Sequence, residues 1–288
     1  MNVEQLQTTL REIQNSNSSE KWYEGLNARK KEELEFHNRD RDQKLTESLP
    51  QDAYELLHGN KKYYSTTQIS RKYVMDWVAR EAKGKTFLDY ACGNGENALF
   101  AAKSGAALAI GLDISDVSVR NAQEKANSLN LKNTFFIQGD CENTGLPSNS
   151  IDVIICSGML HHLDLSYAFP ELRRILKPGG KILAVEALNY NPIIKLYRMI
   201  TPSMRTEWEK NHILSMKDIT FARRFFEIGE VRFWHILSYF AAFLHKQPAL
   251  MNPLLRLFNA MDALLTRLPL VQLLGWQFTF ELVKRRED

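Results

Sequence analysis

Along residues 1–84 apolar side chains recur at helical spacing in Val3–Ile13, Leu34–His37 and Tyr54–Leu57, within a polar, charge-rich background broken at Pro50. Such stripes predict a helical N-terminal extension. From Lys85 the texture changes to short apolar runs, each followed by a turn and then by an amphipathic stretch. The runs are Thr86–Tyr90, Leu108–Asp113, Thr134–Gly139, Ile151–Ser157 and Lys181–Ala187, with helices expected near Glu96–Ser104, Ser115–Leu129 and Ser166–Leu176. This alternation predicts βαβ units, hence strands that pair mostly in parallel through right-handed crossovers.

After Ala187 the pattern gives way to mixed amphipathic segments containing Pro192, Pro202, Pro248, Pro253 and Pro269. Each proline limits how far a helix continues. Residues 276–284 alternate as a strand does, with Trp276, Phe278, Phe280 and Leu282 on one face and Gln277, Thr279 and Glu281 on the other. A further strand is expected within Glu230–Ile236, separated from the last by a helical insertion at about 240–274. The division expected is an extension at 1–84, a core at 85–190, a helical segment at 191–275 with one strand near 230–236, and a final strand in 276–288.

Length and composition bound the class. The 288 residues, at roughly 150 per domain, make about two units or one enlarged α/β domain. With 44% hydrophobic and 25% charged residues, wholesale disorder and collagen-like repeats are excluded. A net charge of +3, from 37 basic and 34 acidic residues, is too balanced to predict a nucleic-acid partner. The N-terminal MNVEQLQTTLREIQ lacks the basic and apolar regions of a secretory signal, which predicts a cytoplasmic protein. Cys92, Cys141 and Cys156 form an odd set and read as reduced core residues. No run reaches the 18 or so apolar residues of a membrane span, although Trp234–Trp276 comes closest; this stretch either walls a greasy substrate pocket or lies against a membrane surface.

The candidate chemistry begins where the first strand turns into a helix. In Phe87-Leu-Asp-Tyr-Ala-Cys-Gly-Asn-Gly-Glu96 two glycines, Gly93 and Gly95, stand where backbone must approach a ligand closely. With Ala98 they also fit the dinucleotide pattern G-x-G-x-x-A, so NAD and an oxidoreductase remain an alternative at this point. Asp113 ends the second strand, where a carboxylate can accept both hydroxyl protons of a ribose, and Asp140 closes the third, placed to accept from an adenine amino group.

Five pieces in order then carry a family resemblance: Leu88-Asp-Tyr-Ala-Cys-Gly-Asn-Gly95, Gly111-Leu-Asp-Ile-Ser115, Gly139-Asp140, Asp152-Val-Ile-Ile-Cys-Ser157 and Leu176-Lys-Pro-Gly-Gly-Lys181. The chain resembles a class I S-adenosylmethionine-dependent methyltransferase of the small-molecule type (type 11/25-like), over about residues 85–187 and a final strand at 276–284. The resemblance implies a Rossmann-like, doubly wound, seven-stranded, mostly parallel sheet, with S-adenosylmethionine as cofactor and the N-terminal extension as a lid. Gly93 and Gly95 would lie against its methionine part with Asp89 nearby, Asp113 would hold the ribose, Ile114 would pack on the adenine, and Asp140 with Cys141 would read the adenine edge. The departure from the family's glycine loop is Ala91-Cys92, where relatives vary.

Ser157-Gly-Met-Leu-His-His-Leu163 follows the fourth strand, whose carboxyl end faces the ligand crevice in such folds. Ser157 is expected at the cofactor. In small-molecule relatives a histidine here serves as base or lies beside the substrate; His162 is the closer match and His161 the second. Histidine titrates near neutrality and suits the role. Certain relatives carry an acid-acid-His metal set at this place, but Gly158 and His161 occupy the acid positions, and no metal is expected. From the lid, Tyr64 is a candidate for the cofactor's carboxylate and His37 for the substrate; Arg205 and His212, in a polar cluster of the later segment, are further substrate candidates, Arg205 for a carboxylate or phosphate. The expected reaction is methyl transfer to an O, N or C atom of a small, lipophilic metabolite; a non-catalytic S-adenosylmethionine-binding protein is the other alternative. Oligomeric state is left open.

Overall fold

A computed structural model describes residues 2–17 and 19–286. The strands are β1 (Thr86–Tyr90), β2 (Leu108–Asp113), β3 (Thr134–Gln138), β4 (Ile151–Ser157), β5 (Leu176–Ala187), β6 (Glu227–Trp234) and β7 (Gln277–Val283). They form one seven-stranded sheet in the order β3-β2-β1-β4-β5-β7-β6. The first five run parallel, and β7 is antiparallel to both β5 and β6. This is the α/β, Rossmann-like, mostly parallel sheet expected.

Helices cover both faces, so every residue of β1 is buried. Phe87 packs with Trp77 and Val78 of the Gln68–Glu81 helix on one face, while Leu88 and Tyr90 join Leu6 and Leu10 of the Val3–Asn17 helix on the other. A strand covered on both sides reads as an unbroken apolar run, which is why β1, β2 and β4 begin and end where the apolar pattern does. The three cysteines are unpaired and buried, and burial pushes all three thiols up, as inert core residues require.

Three boundaries differ from the pattern. β5 starts at Leu176, five residues before Lys181, because Gly179 adopts a left-handed φ of +77° and lets Leu-Lys-Pro-Gly-Gly stay in the ladder. Trp276 lies just outside β7 and turns to a cavity, leaving Phe278, Phe280 and Leu282 as the buried apolar face. The opposite face is not a solvent face: Thr279 is buried and its hydroxyl accepts the indole N–H of Trp234 at 3.1 Å.

The N-terminal extension is helical throughout most of its length, and its Ala28–Arg41 helix lies across the carboxyl ends of the parallel strands. Asn27 caps that helix by accepting from the Lys30 N–H, and Asp42 ends it and caps the next. Between β6 and β7 lie short turns and the Pro248–Leu265 helix. Among the described residues no helix is long and apolar enough to cross a membrane.

Candidate functional site

The loops leaving β1, β2, β3 and β4 converge on one small cavity. Ala91 and Gly93, Asp113 and Ile114, Asp140 and Cys141, then Ser157 and Gly158 line it from the sheet side. The Ala28–Arg41 helix closes it from above with Arg29, Lys30, Glu33, His37 and Arg41. The glycine loop is bent by left-handed residues at Ala91, Gly93 and Gly95, with φ of 57°, 50° and 77°.

Asp113 organises this loop. Its Oδ2 accepts the Gly93 N–H at 2.7 Å and its Oδ1 the Ser115 N–H at 2.9 Å, which fixes the carboxylate at the β2 end. Asp89 has a different part from the one expected. It is buried behind the loop, accepts from the Ala98 N–H and the Asn97 amide, and does not line the cavity. Burial pushes its carboxyl up to about 7. Gly95 likewise serves packing: a Cβ there would stand 2.8 Å from both Ala122 Cβ and Phe136 Cε1, and it is Gly93 that faces the cavity.

Asp140 and Cys141 are where the resemblance requires, but Asp140 is engaged. Its Oδ2 receives Lys30 Nζ at 2.6 Å, and the same ammonium lies 2.9 Å from Glu142. Arg29 adds a second clamp, donating to Glu142 and, at 2.8 Å, to the His162 carbonyl. The cavity measures about 90 Å³, whereas sites for nucleoside-sized ligands run to roughly 300 Å³ and more. The donor and acceptor set fits an adenosine cofactor, whereas the cavity, closed by the Ala28–Arg41 helix with Lys30 on Asp140, is smaller than such a ligand.

A larger cavity of about 550 Å³ adjoins the first. Five residues, His37, Arg41, Ser157, Gly158 and His162, line both, so the two spaces meet at the end of β4. The histidines expected as bases stand at this junction in two different settings. His162 Nδ1 lies 3.0 Å from Glu33 Oε2, and Glu33 also accepts the Thr206 hydroxyl at 2.6 Å and lies 3.5 Å from His37 Nε2. Burial works against the His162 imidazolium, but the hydrogen bond and charge of Glu33 outweigh it and hold the pKa above the usual histidine value. Burial likewise opposes the Glu33 carboxylate, yet the hydrogen bonds from His162 and His37 hold it well below the usual range. With Nδ1–H donated to Glu33, Nε2 is the nitrogen left to take a proton.

His161 is tied to the scaffold. Its Nδ1 lies 2.6 Å from Glu186 Oε2, and Glu186 Oε1 accepts the N–H groups of Met159 and Leu160 at 2.9 and 2.7 Å. The fully buried Glu186 carboxylate therefore shapes the Ser157–Leu163 loop and holds His161, which faces the larger cavity only.

Of the remaining candidates, Tyr64 lines the larger cavity beside Trp276, not the smaller one. His37 faces both spaces, packed edge-on against His162 at 4.9 Å between ring centres. Arg205 is in the larger cavity but already engaged, donating to the Thr201 carbonyl at 2.8 Å and lying 3.4 Å from Glu209. His212 is away from both cavities; it stacks on Trp208 at 3.6 Å and pairs with that residue's carbonyl, so the substrate role fails on position.

The sequence motifs showed no metal set, but the fold assembles two groups whose ligand atoms lie within 4.8 Å of one another: Glu33, His37 and His162, and His161, His162 and Glu209. Glu33, Arg41 and Glu186 were missed. Glu33, His37 and Arg41 recur every fourth residue and so share a helix face, and Glu186 is a lone acid in an apolar strand.

Comparison with known proteins bears on this geometry directly. Residues 88–184 match the family model described as "Methyltransferase domain". Over these residues, about a third of its length, the chain is similar to that family. A ribosomal protein L11 methyltransferase of Neisseria meningitidis is 31% identical over 121 residues, covering 42% of this chain and 37% of that protein. Its counterpart from Burkholderia thailandensis is 30% identical over 109 residues, covering 38% and 34%. The chain thus matches little more than a third of these curated relatives' length. Solved structures extend the likeness beyond the domain. Haemonchus contortus phosphoethanolamine N-methyltransferase 2, in complex with phosphomonomethylethanolamine and S-adenosylhomocysteine, superposes with a TM-score of 0.56 at 16% identity, covering 88% of this chain and 60% of that one. The [4+2]-cyclase SpnF does so with 0.54 at 21%, covering 76% and 82%. At these identities it is the fold that is shared.

Proposed function

We propose that the protein transfers a methyl group from S-adenosylmethionine to an O, N or C atom of a small, lipophilic acceptor held in the larger cavity. The observation that carries this reading is the junction of the two cavities at Ser157, Gly158 and His162, beside the methyltransferase glycine loop. The cofactor binds in the small cavity, with Asp113 on the ribose and Asp140 and Cys141 at the adenine edge. The bound cofactor would supply the methyl group, and what the protein contributes is alignment and exclusion of water. His162 Nε2 takes the proton from an O–H or N–H nucleophile, and Glu33 stabilises the imidazolium that results.

Isothermal titration with S-adenosylhomocysteine beside NAD tests the cofactor. Binding of the first alone supports the reading and licenses an acceptor search with labelled methyl donor. Binding of NAD alone replaces it with the oxidoreductase, and cofactor binding without turnover on broad metabolite extracts leaves a non-catalytic binder.

The lipophilic acceptor has its own support. Around the cavity mouth Tyr63 touches Tyr197 and Phe243, and beyond them Leu196, Met199, Ile200, Leu264 and Leu270 are exposed. The basic residues Lys195, Lys246, Arg256 and Arg267 are exposed among them, while Asp262, the acid of the 238–275 segment, is buried against the Leu237 and Ser238 N–H groups. Such a face suits peripheral contact with an anionic bilayer. Co-sedimentation with anionic but not neutral liposomes is the expected result, and equal recovery in the supernatant from both removes the membrane contact. Buried, unpaired thiols suit a reducing, cytoplasmic setting.

A further inference from the structure

The cations of the larger cavity differ in one respect. Arg41 and Lys61 each face Asp40 at 3.6 Å, and Arg205 faces Glu209 and the Thr201 carbonyl. Arg198 makes no such ion pair among the described residues, although the Glu209 charge lies near enough to favour its charged form. It projects from the Pro192–Ile200 helix into the cavity wall, its Nη1 is shielded from solvent, and among the described residues that nitrogen has no hydrogen-bond acceptor.

A guanidinium N–H out of water and unpaired costs free energy that a folded chain normally recovers through an acceptor. Burial pushes the Arg198 pKa down to about 10, and the neighbouring Arg205 cation pushes the same way. Even so, the side chain stays charged at neutral pH. The cavity therefore holds a cation outside any ion pair, next to apolar walls from Tyr63, Tyr197, Ile194 and Trp276. Arg205, the arginine singled out by the sequence, is spoken for; Arg198, one helical stretch earlier, is not.

We propose that the acceptor carries an oxyanion, a carboxylate or a phosphate, which the Arg198 guanidinium receives while an apolar portion lies against Tyr197 and Trp276. This rests on the reading of the larger cavity as the acceptor site and adds the acceptor's charge. A planar guanidinium meets either oxyanion through two N–H donors, and pairing in a partly desolvated cavity makes the contact strong and directional. Anchored at Arg198, the acceptor has its orientation fixed at the end remote from the reacting atom, which is where binding energy is turned into alignment.

The test uses S-adenosylhomocysteine-loaded protein titrated calorimetrically with phenyl phosphate, benzoate and the neutral benzyl alcohol. At least one anion is expected to bind on the order of tenfold tighter than the alcohol. Whichever of the two binds identifies phosphate or carboxylate as the group read. Arg198→Gln should abolish that preference and Arg198→Lys retain part of it, with S-adenosylhomocysteine affinity unchanged in both. No preference for either anion in the wild-type protein overturns the proposal, and so does an Arg198→Gln variant that keeps it. The wild-type comparison decides even where a variant folds badly. Failure of S-adenosylhomocysteine to bind strikes the methyl-donor reading instead, and the same anion titrations on the unloaded protein still decide Arg198.

Discussion

Glu33, on a helix of the N-terminal extension, places its carboxylate 3.0 Å from Nδ1 of His162, joining that extension to the loop after β4 across 129 residues. The signs of the two shifts set its pH window. The raised His162 pKa makes a stabilising contribution that is complete below the ordinary value of 6.5 and is lost as pH rises through the folded-state pKa. The lowered Glu33 pKa makes one that is complete above 4.5 and is lost as pH falls through its own depressed value. Glu33→Gln should therefore lower the unfolding free energy most between about pH 4.5 and 6.5, by on the order of 1–3 kcal/mol, with the gap narrowing as pH climbs above that. The activity profile should move too: the acid limb of kcat, set by the raised His162 pKa, shifts to lower pH in the variant. A limb that stays in place would mean that another group titrates.

Lys30 bears on cofactor entry. Its ammonium sits 2.6 Å from the Asp140 carboxylate, and on the proposed reading it competes there with an adenine amino group. Lys30→Ala should speed S-adenosylhomocysteine association and tighten binding by up to roughly fivefold, the ~1 kcal/mol of an accessible ion pair. In stopped-flow traces added salt should accelerate association in the wild-type protein more than in the variant, because salt screens the pair. Slower association in Lys30→Ala would instead make the lysine a direct cofactor contact.

What was legible in the sequence follows from where each signal comes from. β1, β2 and β4 lie between helical layers, so burial is written as continuous apolar runs ended by turns. Asp113 and Ser157 end β2 and β4, and Asp140 stands two residues after β3, so their positions come with the strands. Residues brought in from the lid carry no such tag. Glu33 and Arg41 lie in a helix that reads as a charged surface, and only their four-residue spacing with His37 hints at a shared face. Gly95 and Asp89 were legible as positions but not as roles, because the contacts that decide them, with Phe136 and with the Ala98 N–H, come from tertiary packing.

Asp113 separates two effects that the sequence merges. An Asp113→Asn change keeps an acceptor for one of the two N–H groups it holds but removes the charge offered to a ribose. S-adenosylhomocysteine affinity should fall by about 1.5–3 kcal/mol, with a melting temperature lowered by the one N–H left without an acceptor. Asp113→Ala strands both the Gly93 and Ser115 N–H groups, so it should destabilise the fold further. Calorimetric titration with thermal denaturation distinguishes them, and equal melting temperatures for the two variants would show that the loop does not depend on this carboxylate.

Asp89 supplies a pH dependence of opposite character to that of Glu33. Buried behind the glycine loop, its carboxyl is pushed up to about 7 from an ordinary 3.8. The neutral form suits the fold, so its relative stabilisation is complete below about 3.8 and is lost as pH rises through 7. Above that, the folded state carries an ionised carboxylate in an apolar setting, softened only by the Asn97 and Ala98 donors. Asp89→Asn removes the ionisation while leaving an acceptor for the Ala98 N–H. The variant's stability relative to wild type should climb between pH 4 and 7 and level off beyond, by on the order of a few kcal/mol across the range. Urea denaturation at pH 5 and 8 measures this directly. A difference that is the same at both values would mean that Asp89 is ionised throughout, with the loop's N–H groups holding the charge.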